Sequence, residues 1–414
     1  MPSKVFAVSE ASVLEKLQQA NGRCEIWWDS SPASFPAWRE AQLRKAPDEQ
    51  VRRRWSAQLE RFLVLEDPAR SLVRGITTNP SLIAKSILEA PDLWARRVRD
   101  LTRRESDPNV EGICWLIYLE AVRQAAQTML PMWHQTEGRY GWVSGQVDPR
   151  DMFDADRMMQ QAVQLAALLP NLMVKIPGTR QGYEVIQALA ARGISVNNTL
   201  SYGVPQFVAC IRAVEAGLSE ARRRGVDVSR WRCVITYMIG RFGSQGDLRD
   251  EAEARGLFLT QAETRWAEVA VLKRIQRIIE QHAAPIKMLL SSLQVDNRTA
   301  GCETLSMHLE ETAGADIVYT CKPDFIGELM CREQEIEQFD ATAAQREVPP
   351  PVLARLLRLP YFRRALEADG MAPDDFAKHG AFLTTYAEFN RSTRRLLDFT
   401  DRQLHAAVGS RAGS

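Results

Sequence analysis

The stretch NLMVKIPGTRQGYEVIQALAARG, residues 171–193, decides the fold. Its opening, LMVKIP (172–177), is an apolar run with the length of a buried strand. A turn follows, and then QGYEVIQALAARG repeats its apolar residues at helical spacing and stops on Gly193, as a helix C-terminus does. One strand leading at once into one helix is the unit of an α/β fold.

Outward from this unit the pattern recurs. Strand-like runs are CEIWWDS (24–30), LVRGITT (72–78), YGWVSGQV (140–147), ISVNNTL (194–200), RCVITYMI (232–239), IKMLLSS (286–292) and ADIVYTC (315–321). With 172–177 they make eight strands alternating with helical stretches, which predicts a single (β/α)8 barrel of the α/β class. Length alone suggests otherwise, since 414 residues would make two or three average domains. The surplus is assigned to an N-terminal extension (1–23), to inserts at 31–71, 293–314 and 331–350 within a barrel spanning 24–404, and to a tail (405–414). The C-terminal stretch TTYAEFNRSTRRLLDFTDRQL reads as helical.

Composition narrows the function. Lys and Arg number 53 against 52 Asp and Glu, which argues against a nucleic-acid-coating or polybasic membrane role. No apolar run is long enough to span a bilayer, and the N-terminus carries no secretory h-region. Seven scattered cysteines without CxxC spacing and five isolated histidines predict no disulfide framework and no metal site. A reducing cytoplasm is the expected compartment.

In a barrel, reactive side chains sit near the strand C-termini and face inward two residues apart. Thr77 and Asn79, Ser144 and Gln146, and Asn197 and Thr199 have that spacing; Asp29 ends the first strand and Arg241 follows the sixth. Lys175 stands in an otherwise apolar strand, where burial lowers an amine's pKa and favours attack on a carbonyl. The bland alternatives are a snorkelling lysine, a helix-capping Asp29 and a surface-paired Arg241. Asp29 can serve as acid/base, Thr199 and Gln146 can hold a water between them, and Asn79 and Asn197 offer a donor and an acceptor to hydroxyls.

Four blocks then resemble the signature of a known family. GITTNPSLI (75–83), WVSGQVDPR (142–150), LMVKIPGTRQG (172–182) and GISVNNTL (193–200) are similar in order and spacing to transaldolases, nearest the longer bacterial and plant types. The resemblance implies an eight-stranded barrel that moves a three-carbon dihydroxyacetone unit from a ketose phosphate to an aldose phosphate, without cofactor or metal. It implies that Lys175 forms the Schiff base, that Asp29 is the acid/base, and that Thr199 positions water. It places Thr77, Asn79, Asn197, Thr236 and Ser292 around the donor, and Arg241 on its phosphate. Family members are often homodimers, so a homodimer is an expectation.

The departures are informative. Gln146 stands where transaldolases carry glutamate; the related fructose-6-phosphate aldolases also have glutamine there. Those aldolases use a tyrosine on strand six, where this chain has Met238. No basic residue follows Ser292 closely, and Arg298 is the nearest. Losing one of two charge-assisted contacts weakens phosphate binding by about 1.5–3 kcal/mol. Gly178 replaces a serine or alanine, and Asn198 replaces an apolar residue. These changes point to a transaldolase-like transferase whose donor or acceptor differs from the pentose-phosphate pair, as in specialised sugar or natural-product metabolism. The alternatives are an aldolase-like C–C lyase and a non-catalytic barrel whose Arg-rich insert meets a partner.

Overall fold

The computed structural model describes residues 11–64, 67, 70–297 and 302–412, the last six by backbone alone. Eight parallel strands close on themselves in sequence order: β1 (Glu25–Trp28), β2 (Val73–Thr77), β3 (Trp142–Gln146), β4 (Leu172–Pro177), β5 (Val196–Ser201), β6 (Cys233–Tyr237), β7 (Ile286–Leu290) and β8 (Val318–Cys321). A barrel strand is covered by helices outside and by side chains inside, which is why these segments carry long apolar runs.

The interior is layered. At the floor, the Glu25 carboxylate lies between Lys287, 3.0 Å away, and Arg232. Burial pushes its pKa up, but the two cations win and bring it down to about 2. Above it Trp27, Trp142, Met173, Val234, Leu289 and Val318 pack into an apolar plug. Gly75 is needed there, because a Cβ on it would stand 2.5 Å from the Trp27 indole. Two residues further along each strand the inward positions turn polar: Asp29, Thr77, Ser144, Lys175, Asn197, Thr236, Ser291 and Thr320. This ring, on the C-terminal side of the plug, is where barrels of this kind build their sites.

Four features outside the barrel shape the mouth. The first crossover holds two helices, Phe35–Leu43 and Glu49–Phe62. The second, Asn79-capped helix Pro80–Glu89 follows β2 directly. After β7 the chain is pinned by a buried cluster: Arg265 pairs with Asp296 at 2.7 Å and with Glu268 at 2.9 Å, and Glu268 contacts His308 at 2.7 Å. The C-terminal helix, Gly380–Ala412, is longer than the sequence suggests; it runs on past residue 405, where a tail was expected. Thr385 on this helix meets Tyr202 beyond β5 at 2.7 Å, and two turns later Ser392 meets Ser81 beyond β2 at 2.8 Å. One helix therefore bridges the mouth.

No helix among the described residues is long and apolar enough to cross a membrane. All seven cysteines are free, and no metal-ligating cluster occurs among the described residues.

Candidate active site at the barrel mouth

Lys175 is 5 % exposed, and its ammonium donates a 3.3 Å hydrogen bond to the Thr78 carbonyl across the mouth. Burial lowers its pKa to about 8; Asp29 opposes that shift, while Arg241 and Lys322 reinforce it. A sizeable neutral fraction near physiological pH makes this amine a competent nucleophile. It is not the snorkelling lysine that a strand end often carries.

Asp29 does not cap the short helical turn Pro32–Ser34, which has no side-chain cap. Instead its Oδ1 accepts a 2.6 Å hydrogen bond from the Thr77 hydroxyl, and Thr77 in turn meets the Thr320 hydroxyl. The carboxylate is thereby aimed into the barrel from β1, toward the layer that holds Lys175.

Across the barrel a second chain of bonds fixes an amide. Thr236 donates to Asn197 Oδ1 at 2.7 Å, and Asn197 Nδ2 donates to Ser144 Oγ at 2.8 Å. Asn197 is the register partner of Lys175, so its remaining N–H faces the same space. Gln146 partners Lys175 on the other side, its own backbone N–H held at 3.0 Å by the Tyr118 hydroxyl. Gln146 Oε1 and Thr199 Oγ1 are buried and have no protein hydrogen-bond partner. Buried polar atoms are almost always satisfied, so these two stand out as open to a partner from outside the protein.

Backbone strain marks the same rim. Just after Thr199, Leu200 sits at φ +59, and the β5–β6 register slips between Asn198 and Ser201. A buried leucine in the left-handed region costs about 1–3 kcal/mol, and such strain clusters at functional sites. Gly178 has no side chain because Gln206, Tyr183 and Ser201 already fill that volume, about 3 Å from where a Cβ would stand.

Other expected residues are placed differently. Asn79 is half-buried and caps its helix, its Oδ1 accepting the Leu82 N–H at 3.0 Å. Ser292 does not face the barrel interior by strand alternation; it lies beyond β7 at φ +60. The inward serine is Ser291, whose buried hydroxyl has no protein partner. Strict period-two counting from Leu289 finds Ser291, and the same count from Val318 finds Thr320. Arg298 lies outside the described residues. The second cation at the mouth comes from another strand: Lys322, just after β8, acts electrostatically on both Lys175 and Glu388. Gln294 and Asp296, which stand where a basic residue was sought, instead anchor Arg265.

Arg241 reaches the rim from the short helix Ile239–Ser244. Its Nη1 donates to Glu388 Oε2 at 2.7 Å, to Thr385 Oγ1 at 3.1 Å and to Gln245 Oε1 at 3.2 Å. Two of these partners, Thr385 and Glu388, belong to the C-terminal helix, which the sequence did not link to the site.

A closed parallel barrel with a buried amine, a held carboxylate and a polar ring at the strand C-termini is a (β/α)8 fold with its site at the mouth. The family model described as transaldolase/fructose-6-phosphate aldolase matches residues 61–369. The chain belongs to the transaldolase/fructose-6-phosphate aldolase family. A transaldolase of Mycobacterium ulcerans (strain Agy99) is 36% identical over 181 residues, 43% of this chain and 48% of that protein. A transaldolase of Mycobacterium tuberculosis (strain CDC 1551 / Oshkosh) is 33% identical over 179 residues, again 43% of this chain and 47% of that protein. The chain thus spans about half the length of the curated relatives it matches. Among solved structures, the malate synthase of Haloferax volcanii in its pyruvate/acetyl-CoA ternary complex superposes with a TM-score of 0.27 at 14% identity. That match covers 66% of this chain and 76% of the other, and is too weak to bear on the site.

Proposed function

We propose that the chain transfers a three-carbon dihydroxyacetone unit from a ketose donor to an aldehyde acceptor through a Schiff base on Lys175. The neutral amine adds to the ketose C2 carbonyl, and loss of water leaves an iminium. Asp29 takes the proton of the C4 hydroxyl as the C3–C4 bond breaks, and the aldehyde fragment departs. The electron pair of that bond is held as an enamine on Lys175. A second aldehyde accepts that pair at its carbonyl carbon, its oxygen takes a proton back from Asp29, and water releases the product ketose. Gln146 and Thr199 orient the water that leaves in the first dehydration and the water that enters in the final hydrolysis. Asn197, Thr236, Ser144 and Ser291 bind or position the donor's hydroxyls.

One observation carries this reading: the buried Lys175 amine, with its pKa near 8, shares one inward layer with Asp29, which Thr77 holds by a 2.6 Å bond. Borohydride reduction in the presence of dihydroxyacetone tests it. A stable adduct is expected on the wild type and none on Lys175→Arg. An adduct of equal yield on both would remove Lys175 from the chemistry.

Release of free dihydroxyacetone, the lyase outcome, is the second reading, and Gln146 favours it. Met238 argues against it, because a thioether occupies the strand-six position and accepts the Tyr202 hydroxyl at 3.3 Å. Product analysis without an acceptor aldehyde separates the two.

A further inference from the structure

We infer that Glu388, on the C-terminal helix, is a specificity-determining residue that neutralises Arg241 and makes the mouth accept a ketose without a phosphate group. The inference rests on the Schiff-base reading above and adds the substrate class. Arg241 stands just after β6, on the strand C-terminal side that also carries Lys175, and acts on its titration, so a charged group held at Arg241 shares the mouth with a molecule bound at Lys175. An unpaired guanidinium there would be a natural anchor for phosphate. It is not unpaired. Its side chain is 9% exposed, and its Nη1 holds the Glu388 carboxylate at 2.7 Å, with Thr385 of the same helix at 3.1 Å.

The charge on Glu388 is firm. Burial raises its pKa, but the Arg241 hydrogen bond and field outweigh burial, helped by Lys322 and Arg391, and the net shift is downward. Glu388 is therefore the counter-ion of Arg241, and it also lies in the field of Lys322 and Arg391. A phosphate dianion brought to Arg241 meets that carboxylate, and like charges in a partly desolvated site repel strongly. A neutral polyol end meets no such penalty, and the half-buried Gln245 beside the guanidinium carries an amide suited to hydroxyls.

The ion pair does not depend on a flexible tail. The helix that carries Glu388 is fixed on either side of it, by Thr385 on Tyr202 and by Ser392 on Ser81. Breaking the pair to admit phosphate would leave the Glu388 carboxylate without its hydrogen-bond donor.

The test is borohydride trapping of dihydroxyacetone on Lys175 in rising inorganic phosphate, for wild type and Glu388→Gln. Wild-type trapping is expected to be indifferent to millimolar phosphate. Glu388→Gln leaves Arg241 without its anion, so phosphate should inhibit it at about tenfold lower concentration or less. The same shift should appear as a gain in trapping of fructose 6-phosphate relative to fructose. Equal phosphate sensitivity in both proteins, with normal trapping, overturns the role of Glu388 and leaves the Schiff base standing. Absence of an adduct with any ketose on wild type overturns both. If Glu388→Gln does not fold, the wild type decides: inhibition by phosphate, or strong preference for fructose 6-phosphate, overturns the inference, and indifference sustains it.

Discussion

Thr77 Oγ1 donates a 2.6 Å hydrogen bond to Asp29 Oδ1, joining the ends of β1 and β2 and holding one carboxylate oxygen in place. Thr77→Val keeps the shape and removes the donor. A hydrogen bond to a charged group is worth about 1.5–3 kcal/mol, so turnover should fall roughly ten- to hundredfold while trapping on Lys175 persists. Steady-state rates beside adduct yield check this; an unchanged rate would show that Asp29 needs no such support.

Lys175 should imprint itself on stability as well as on chemistry. Its pKa is about 8 in the folded chain against an ordinary 10.5. The unfolded chain binds the proton more tightly, so this group makes stability rise with pH between those two values. Below pH 8 the folded state carries the cost of a buried ammonium. Lys175→Met should therefore be more stable than wild type at pH 7, by roughly 3 kcal/mol, with the advantage fading toward pH 10.5. Urea melts at several pH values read this directly.

Gln146 is the register partner of Lys175, so a carboxylate placed there lies beside the amine. Gln146→Glu should favour the ammonium and move the midpoint of the trapping-versus-pH curve upward. It should also raise the ratio of transfer to release, because a glutamate can exchange protons during enamine capture. A midpoint that stays put or falls would mean that the two side chains do not share the space.

His379 makes the same kind of prediction, but at acid pH. It is buried, stacked on Tyr202 at 5.2 Å, and neither ring nitrogen has a partner. Burial, with Arg364 adding to it, depresses its pKa from 6.5 to about 3. The unfolded chain takes up the proton first, so stability is lost as pH falls through that window, at roughly 1.4 kcal/mol per pH unit. His379→Phe keeps the stack and should flatten the acid limb of the stability curve.

Why some of this is legible in the sequence and some is not follows from how each part is encoded. Strands buried on both faces show as short β-rich runs between helical stretches, so all eight are readable, and the (β/α)8 topology follows from their alternation with helices. Lys175, Asp29, Asn197, Thr236 and Gln146 stand out because a polar residue interrupts an apolar run. Ser291 and Thr320 carry the same signal more faintly, beside a second serine and a threonine-cysteine pair, and period-two counting is needed to separate Ser291 from Ser292. Lys322 escapes a search confined to the loop after β7, because the barrel brings the end of β8 next to β1. Glu388 escapes altogether. Its partner Arg241 is 147 residues away, and on the sequence it is one charge among many on a surface helix. Only the docking of that helix across the mouth gives it a role.

The central claim is that Lys175 is the carbon-bonding amine of this barrel. The most direct measurement is borohydride reduction of the wild-type protein with dihydroxyacetone, followed by intact mass and peptide mapping. The account predicts one reduced three-carbon adduct per chain, mapped to Lys175, with a yield that climbs as pH rises through about 8. An adduct mapped to another lysine, or none on Lys175 at any pH across that range, would contradict it.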